Sequence, residues 1–279
     1  MPRPLVLLAA AAGIVLKNNL QRIGPIALAA AVGVLAVACY AWVWWHRARA
    51  TIADDYILLL GALLVSADVA FVEAQFHLLD RRWALHALLL AIVHGIGAYA
   101  YGSRMLLSLS IAALATYLGI EQRSLDLFGN DAINTAVRGF TCAAILLVWR
   151  WMHVATAALS GRGAAEGSGT HKDFLRVFEH FAANLALWSG LLLLKENETF
   201  NLGCAIALIV ALAVMRWGFA QRIEAFVLYG FVYAVIAVDA FFIHLFDEEI
   251  AALIIVVVSM IAAVVSLIAI HRRFREKSA

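Results

Sequence analysis

Apolar residues run in long blocks along almost the whole chain, and polar residues gather in the short gaps between them. The blocks cover Pro4–Leu16, Gly24–Trp45, Tyr56–His77, Ala84–Tyr101, Met105–Ile120, Ile133–Ala158, Phe174–Leu194, Leu202–Phe219, Ile223–Leu245 and Ile250–Ile270. Most approach the length of about 20 residues that carries an α-helix across a hydrocarbon core about 30 Å thick. None shows the period-two alternation of a barrel strand, and a helix satisfies its own backbone hydrogen bonds in lipid. The pattern predicts an all-α fold, a polytopic transmembrane helical bundle of roughly ten helices. Pro2 and Pro4 precede or open the first block and Pro25 falls in the first turn of the second, so no proline interrupts a helix interior.

The first block has two readings. Arg3 followed by a short apolar core with small residues at Ala9–Ala12 has the form of a secretory signal, whose removal would leave one helix fewer. The second block begins at Gly24 with no polar region before it, which favours a retained short membrane helix.

Composition narrows the class. Of 279 residues, 65% are hydrophobic and 14% charged, too few to clothe a water-soluble surface. The gaps leave no room for a soluble enzymatic domain, so residues 1–279 read as a single integral membrane domain. A Gly-, Ser- and Ala-rich stretch at 159–172 reads as a flexible linker between sub-bundles 1–158 and 173–279. A short echo crosses that linker, Phe76-His77-Leu78-Leu79-Asp80 against Ile243-His244-Leu245-Phe246-Asp247, as duplicated halves would produce. The net charge of +2 is small and its basic residues are scattered, which argues against a nucleic-acid partner. Cys39, Cys142 and Cys204 lie inside apolar blocks, where cysteine packs as a small hydrophobe, and an odd count sets up no disulfide framework.

Lysine and arginine placement orients the bundle, because positive loops stay in the cytoplasm. A cytoplasmic C-terminus puts Arg272, Arg273, Arg275 and Lys277 inside with Arg216, Arg222, Arg162, Lys172, Arg104, Arg47 and Arg49, and places Asp247-Glu248-Glu249 outside. Lys17, Arg22, Arg81, Arg82, Arg123 and Lys195 fall on the other side, so the majority and the tail decide.

Ionisable groups at membrane depth are the main chemical clue, since an unpaired charge in hydrocarbon costs several kcal/mol. The block Tyr56–His77 is richest. Asp68 and Gln75 share one helical face, and Ser66, Glu73 and His77 share the opposite one. Asp68 falls near mid-membrane, and Glu73 and His77 stand one turn apart. With Asp239 these residues form the set expected to couple protons or contact a solute: Asp68, Glu73, Gln75, His77 and Asp239. His86 and His94 in the fourth block, Arg176, Glu179, His180 and Asn184 at the start of the seventh, and His244 in the ninth are secondary polar candidates. Arg176 and Glu179 are an i,i+3 pair, and Arg138, Arg150 and His153 can snorkel to the interfaces. There is no HExxH, CxxC or compact ligand set, so neither a metal nor a cofactor is expected, and no nucleophile and base share a catalytic spacing.

The run Lys17-Asn18-Asn19-Leu20-Gln21-Arg22-Ile23-Gly24-Pro25, the run Leu58-Leu59-Leu60-Gly61-Ala62-Leu63-Leu64 and the run Glu73-Ala74-Gln75-Phe76-His77-Leu78 together carry a resemblance over residues 9–120. That region resembles a bacterial family of multi-pass membrane proteins known as a domain of unknown function. The resemblance implies a bacterial inner-membrane location, a genuine first helix, and family-typical positions for Gln75 and His77; it implies no activity.

The resulting expectation is a small-solute or ion transporter or permease in the bacterial inner membrane, proton-coupled through the acidic set. A non-catalytic membrane scaffold or accessory subunit is the alternative, and an intramembrane enzyme acting on lipid-linked substrates comes third. The partners expected are the lipid bilayer together with a small solute, an ion or another membrane protein.

Overall fold

The computed structural model describes residues 24–46, 51–78, 84–119, 132–159, 169–195, 197–246 and 249–276. Among them the chain forms nine α-helices and no strand. These are α1 (Pro25–His46), α2 (Ile52–Phe76), α3 (Ala84–Tyr101), α4 (Arg104–Tyr117), α5 (Ala132–Leu159), α6 (Gly169–Leu192), α7 (Phe200–Gln221), α8 (Glu224–Leu245) and α9 (Glu249–Glu276). Eight are long and apolar enough to cross a membrane; α4, at 14 residues, is not. The fold is an all-α transmembrane bundle, and its helices coincide with the apolar blocks from Gly24 onward to within a few residues. The block Pro4–Leu16 and most of the 159–172 stretch lie outside the described residues.

Local chemistry sets the helix ends. Pro25 opens α1, where its missing N–H costs nothing. Before α2, the Thr51 backbone N–H and hydroxyl both donate to Asp54 Oδ2, at 2.7 and 2.9 Å, which ties the carboxylate into the first turn. His77 closes α2 in the left-handed region with φ 48°, its N–H donating to the Glu73 carbonyl. Arg222 ends α7 in the same way, with φ 54°. Two short 3-10 turns, Leu193–Lys195 and Asn197–Thr199, reverse the chain between α6 and α7.

The chain divides into two compact units between Ala113 and Leu114, so α5 and α6, on either side of 159–172, belong to the same unit. In the first unit α1 and α2 run antiparallel. A methyl group built on Gly61 would lie 2.9 Å from Cys39 Cβ, and one on Gly33 would touch Asp68 at the far end of the same contact. Such small residues let the backbones approach, which is how helices gain packing energy where water supplies no hydrophobic drive. Leu58, Ala62, Ala91, Ala98, Leu106 and Ile111 are buried in this unit.

In the second unit α5 to α9 alternate in direction. Gly139 faces Ser189 and Arg150 faces Glu179 across α5 and α6. A methyl on Gly190 would lie 3.0 Å from Ala207 Cα, which joins α6 to α7, and Gly230 lies against Ala211 and Met215 between α8 and α7. Phe178, Phe226, Leu146 and Leu187 fill the interior. α9 is peripheral: none of its apolar window is buried, as suits a helix surrounded by lipid. This alternation brings Arg150, Arg176, Arg216, Arg222 and Arg272 to one end of the unit.

Candidate functional site

Polar groups of the first unit meet along the α2–α3 seam. Because the two helices are antiparallel, residues equally distant from the connection between them face one another. Near that connection Glu73 Oε2 lies 3.2 Å from His86 Nε2, each side chain 16% exposed. Seven residues earlier on α2, about 10 Å deeper at roughly 1.5 Å per residue, Ser66 Oγ lies 2.9 Å from His94 Nε2. Ser66 Oγ also donates to the Ala62 carbonyl at 3.1 Å. A hydroxyl has one proton, so both bonds form together only when His94 Nε2 carries the hydrogen and donates to Ser66. His94 Nδ1 then faces inward as an acceptor; it is buried and has no hydrogen-bond partner among the described residues. Ser110 Oγ donates to the Ala91 carbonyl at 2.6 Å, joining α4 to the neighbouring turn of α3.

Asp68 occupies the other face of α2, against Gly33 of α1. Its Oδ1 is buried and unpartnered among the described residues. Leaving such an oxygen unsatisfied costs about 1–3 kcal/mol, and more if it is charged. Gln75 and His77 are both exposed. His77 makes its helix-end bond through the backbone; the group that meets the Glu73 carboxylate is His86.

In the second unit Arg150 grips Glu179 with two nitrogens, Nη2 at 2.7 Å and Nε at 2.9 Å from the same oxygen, Oε1. Arg176 approaches the other oxygen, Oε2, at 3.6 Å, so the i,i+3 pair read from the sequence exists but is the longer contact. The Arg150 guanidinium also lies over the Trp217 ring, 5.9 Å from its centre. His180 packs against Phe226 and Tyr229, with centroids 4.7 and 5.9 Å away. Asn184 Nδ2 donates to the His180 carbonyl at 2.8 Å. Asp239 Oδ2 accepts a 2.6 Å hydrogen bond from Ser259 of α9. His244 stacks on Phe200, centroids 4.0 Å apart. Asp68 and Asp239 belong to different units.

The structure thus joins Glu73 with His86, and Arg176 with Glu179. Ser66 pairs with His94, while Gln75 and His77 remain on the surface. The pairings Glu73–His86, Ser66–His94 and Arg150–Glu179 are not apparent in the sequence pattern. The signal for the first two is equal spacing from the connection at residues 77–83, which an antiparallel hairpin of helices converts into contact.

Groups of three or more histidine, cysteine, aspartate or glutamate side chains placed to hold a metal are absent among the described residues. No family model, curated protein or solved structure matches the chain. Its own helices therefore place it: the protein is an all-α, multi-pass membrane protein.

Proposed function

We propose that the protein is a small-solute or ion transporter, proton-coupled through Asp68, Glu73, His86 and the Ser66–His94 pair. The observation that carries this reading is that two proton-exchanging groups at membrane depth, Asp68 and His94, each hold a buried atom, Oδ1 and Nδ1, with no hydrogen-bond partner among the described residues. Both atoms are costly to bury unless water, an ion or a solute completes them. Glu73 and His86 stand nearer the membrane surface on the α2–α3 seam that also holds His94, where a proton can enter, while Asp68 faces α1. Roughly 10 Å separates Glu73 and His86 from Ser66 and His94, so transfer between the two levels runs through intervening water. Asp239 is left out of the working set because its carboxylate already serves Ser259 as a clasp between α8 and α9.

The location proposed is the bacterial inner membrane, with the C-terminus in the cytoplasm. Five arginines at one end of the second unit and the resemblance over residues 9–120 support it.

The test is flux. The protein is reconstituted into liposomes holding a pH-sensitive dye, a pH gradient is imposed, and a panel of ions and small metabolites is added in turn. A solute-dependent proton flux that Asp68→Asn and His94→Gln each reduce at least about tenfold, with thermal stability retained, carries the reading. Wild-type protein silent across the panel, with variants that alter only stability, overturns it in favour of a scaffold.

A further inference from the structure

A cleft of about 350 Å³ opens in the second unit between α5, α6, α7 and the first turn of α8. That volume lies within the range of about 300–1,000 Å³ common to small-molecule sites. Its walls are short and apolar: Ala143 and Leu147 from α5, Ala183 and Ala186 from α6, Ala213 and Val214 from α7. It is open on one side, where Leu147, Ala213 and Trp217 are exposed. Polar groups stand only at one end, where Arg150 and Glu179 face the space beside Trp217.

Depth and charge together specify an occupant. Arg150, Glu179 and Trp217 all lie near the ends of their spans, at the level of a membrane interface. Ala143 and Ala186 lie seven residues further along their helices, about 10 Å toward the hydrocarbon centre at roughly 1.5 Å per residue. The trough therefore runs from a polar rim inward, as a lipid tail does. Arg150 and Glu179 line the rim, and Arg176 stands beside it, 3.6 Å from the other Glu179 oxygen, so two guanidinium groups surround one carboxylate with a net charge of +1. Arg150 spends Nη2 and Nε on Glu179, and its Nη1 donates to no group among the described residues. Arg176 is half exposed. A soluble anion would use the rim and leave the alanine trough empty, whereas a neutral lipid would use the trough and leave the rim unmatched.

We propose that this cleft binds an anionic phospholipid, one acyl chain lying in the alanine trough and the phosphate meeting Arg150 Nη1 and Arg176. The site is separate from the α2–α3 seam and stands or falls independently of transport.

The experiment uses the full chain purified in detergent, offered phosphatidylglycerol or phosphatidylcholine with identical chains, and counts retained lipid by native mass spectrometry. Wild type retains phosphatidylglycerol about fivefold better, the discrimination that one cation near an anionic head group provides. Ala183→Phe fills the trough and lowers retention of both lipids about tenfold. Ala213→Phe fills it from the exposed wall and gives the same result if Ala183→Phe does not fold. Arg176→Gln removes most of the preference and keeps the chain. Equal retention of the two lipids by wild type overturns the proposal, as does undiminished retention in a folded trough-filling variant.

Discussion

Glu73 and His86 face each other across α2 and α3 at 3.2 Å, and each belongs to a different apolar block of the sequence. The contact is an ion pair when the imidazole carries both protons and a hydrogen bond when it carries one. It holds the end of the seam whose deeper part is the Ser66–His94 pair. Glu73→Gln and His86→Gln should each lower stability by about 0.6–2 kcal/mol, the span measured for polar contacts between membrane helices. In a double-mutant cycle followed by thermal unfolding, additive losses would show that the two side chains do not interact.

Asp68 makes the opposite forecast. Its buried Oδ1 has no partner among the described residues; an amide keeps an oxygen there but cannot ionise, so Asp68→Asn removes the cost of burying a charge. Asp68→Asn should leave the unfolding temperature equal or higher while abolishing proton-linked flux. A fall of several degrees would mean that the carboxylate makes a stabilising contact and would withdraw it from the working set.

Arg150 and Glu179 form an ion pair of 2.7 Å between α5 and α6, and the Glu179 side chain is only 10% exposed. Arg150→Gln leaves that carboxylate with only the longer Arg176 contact and should cost about 1–3 kcal/mol, the penalty for a polar group that loses its close partner. The double variant Arg150→Gln with Glu179→Gln should recover most of the loss. Failure of the second substitution to rescue the first would place the effect in packing against Trp217 and not in the uncompensated charge.

Gly139 gives a steric prediction. The Ser189 hydroxyl occupies the space a side chain at Gly139 would enter, and that hydroxyl is buried without a hydrogen bond among the described residues. Gly139→Ala should therefore destabilise by about 1–3 kcal/mol through overpacking. Adding Ser189→Gly should restore much of it. Ser189→Ala alone should be neutral or mildly stabilising, because it removes an unsatisfied polar atom. A cost from Ser189→Ala comparable to that of Gly139→Ala would refute this account of the α5–α6 contact.

The helices were legible because the forces that make them are local. A run of about 20 apolar residues has one stable form in lipid, so Gly24–Trp45 becomes Pro25–His46 and Leu202–Phe219 becomes Phe200–Gln221 with small shifts at the ends. Met105–Ile120 differs because Gly102 and Gly119, at φ 67° and 75°, turn the chain on either side and leave a helix of 14 residues. The faces of α2 were legible for the same reason: a rotation of about 100° per residue puts Ser66 and Glu73 on one side and Asp68 on the other.

Partnership was not legible, because it depends on which faces meet. His77 stands one turn from Glu73 in sequence and caps the helix, while His86, in the next block, meets the carboxylate. Arg176 stands three residues from Glu179, yet Arg150 of the preceding helix holds it more closely. Asp239 finds Ser259 only because α9 folds back along α8. Hydrophobicity and helical period by themselves determined that this chain is a bundle of membrane-crossing helices and, among the described residues, roughly where each one lies. Tertiary structure alone decided which buried acids and histidines are satisfied and which are left open, because antiparallel packing joins residues far apart in sequence and the cost of an unpaired polar group depends on that neighbour.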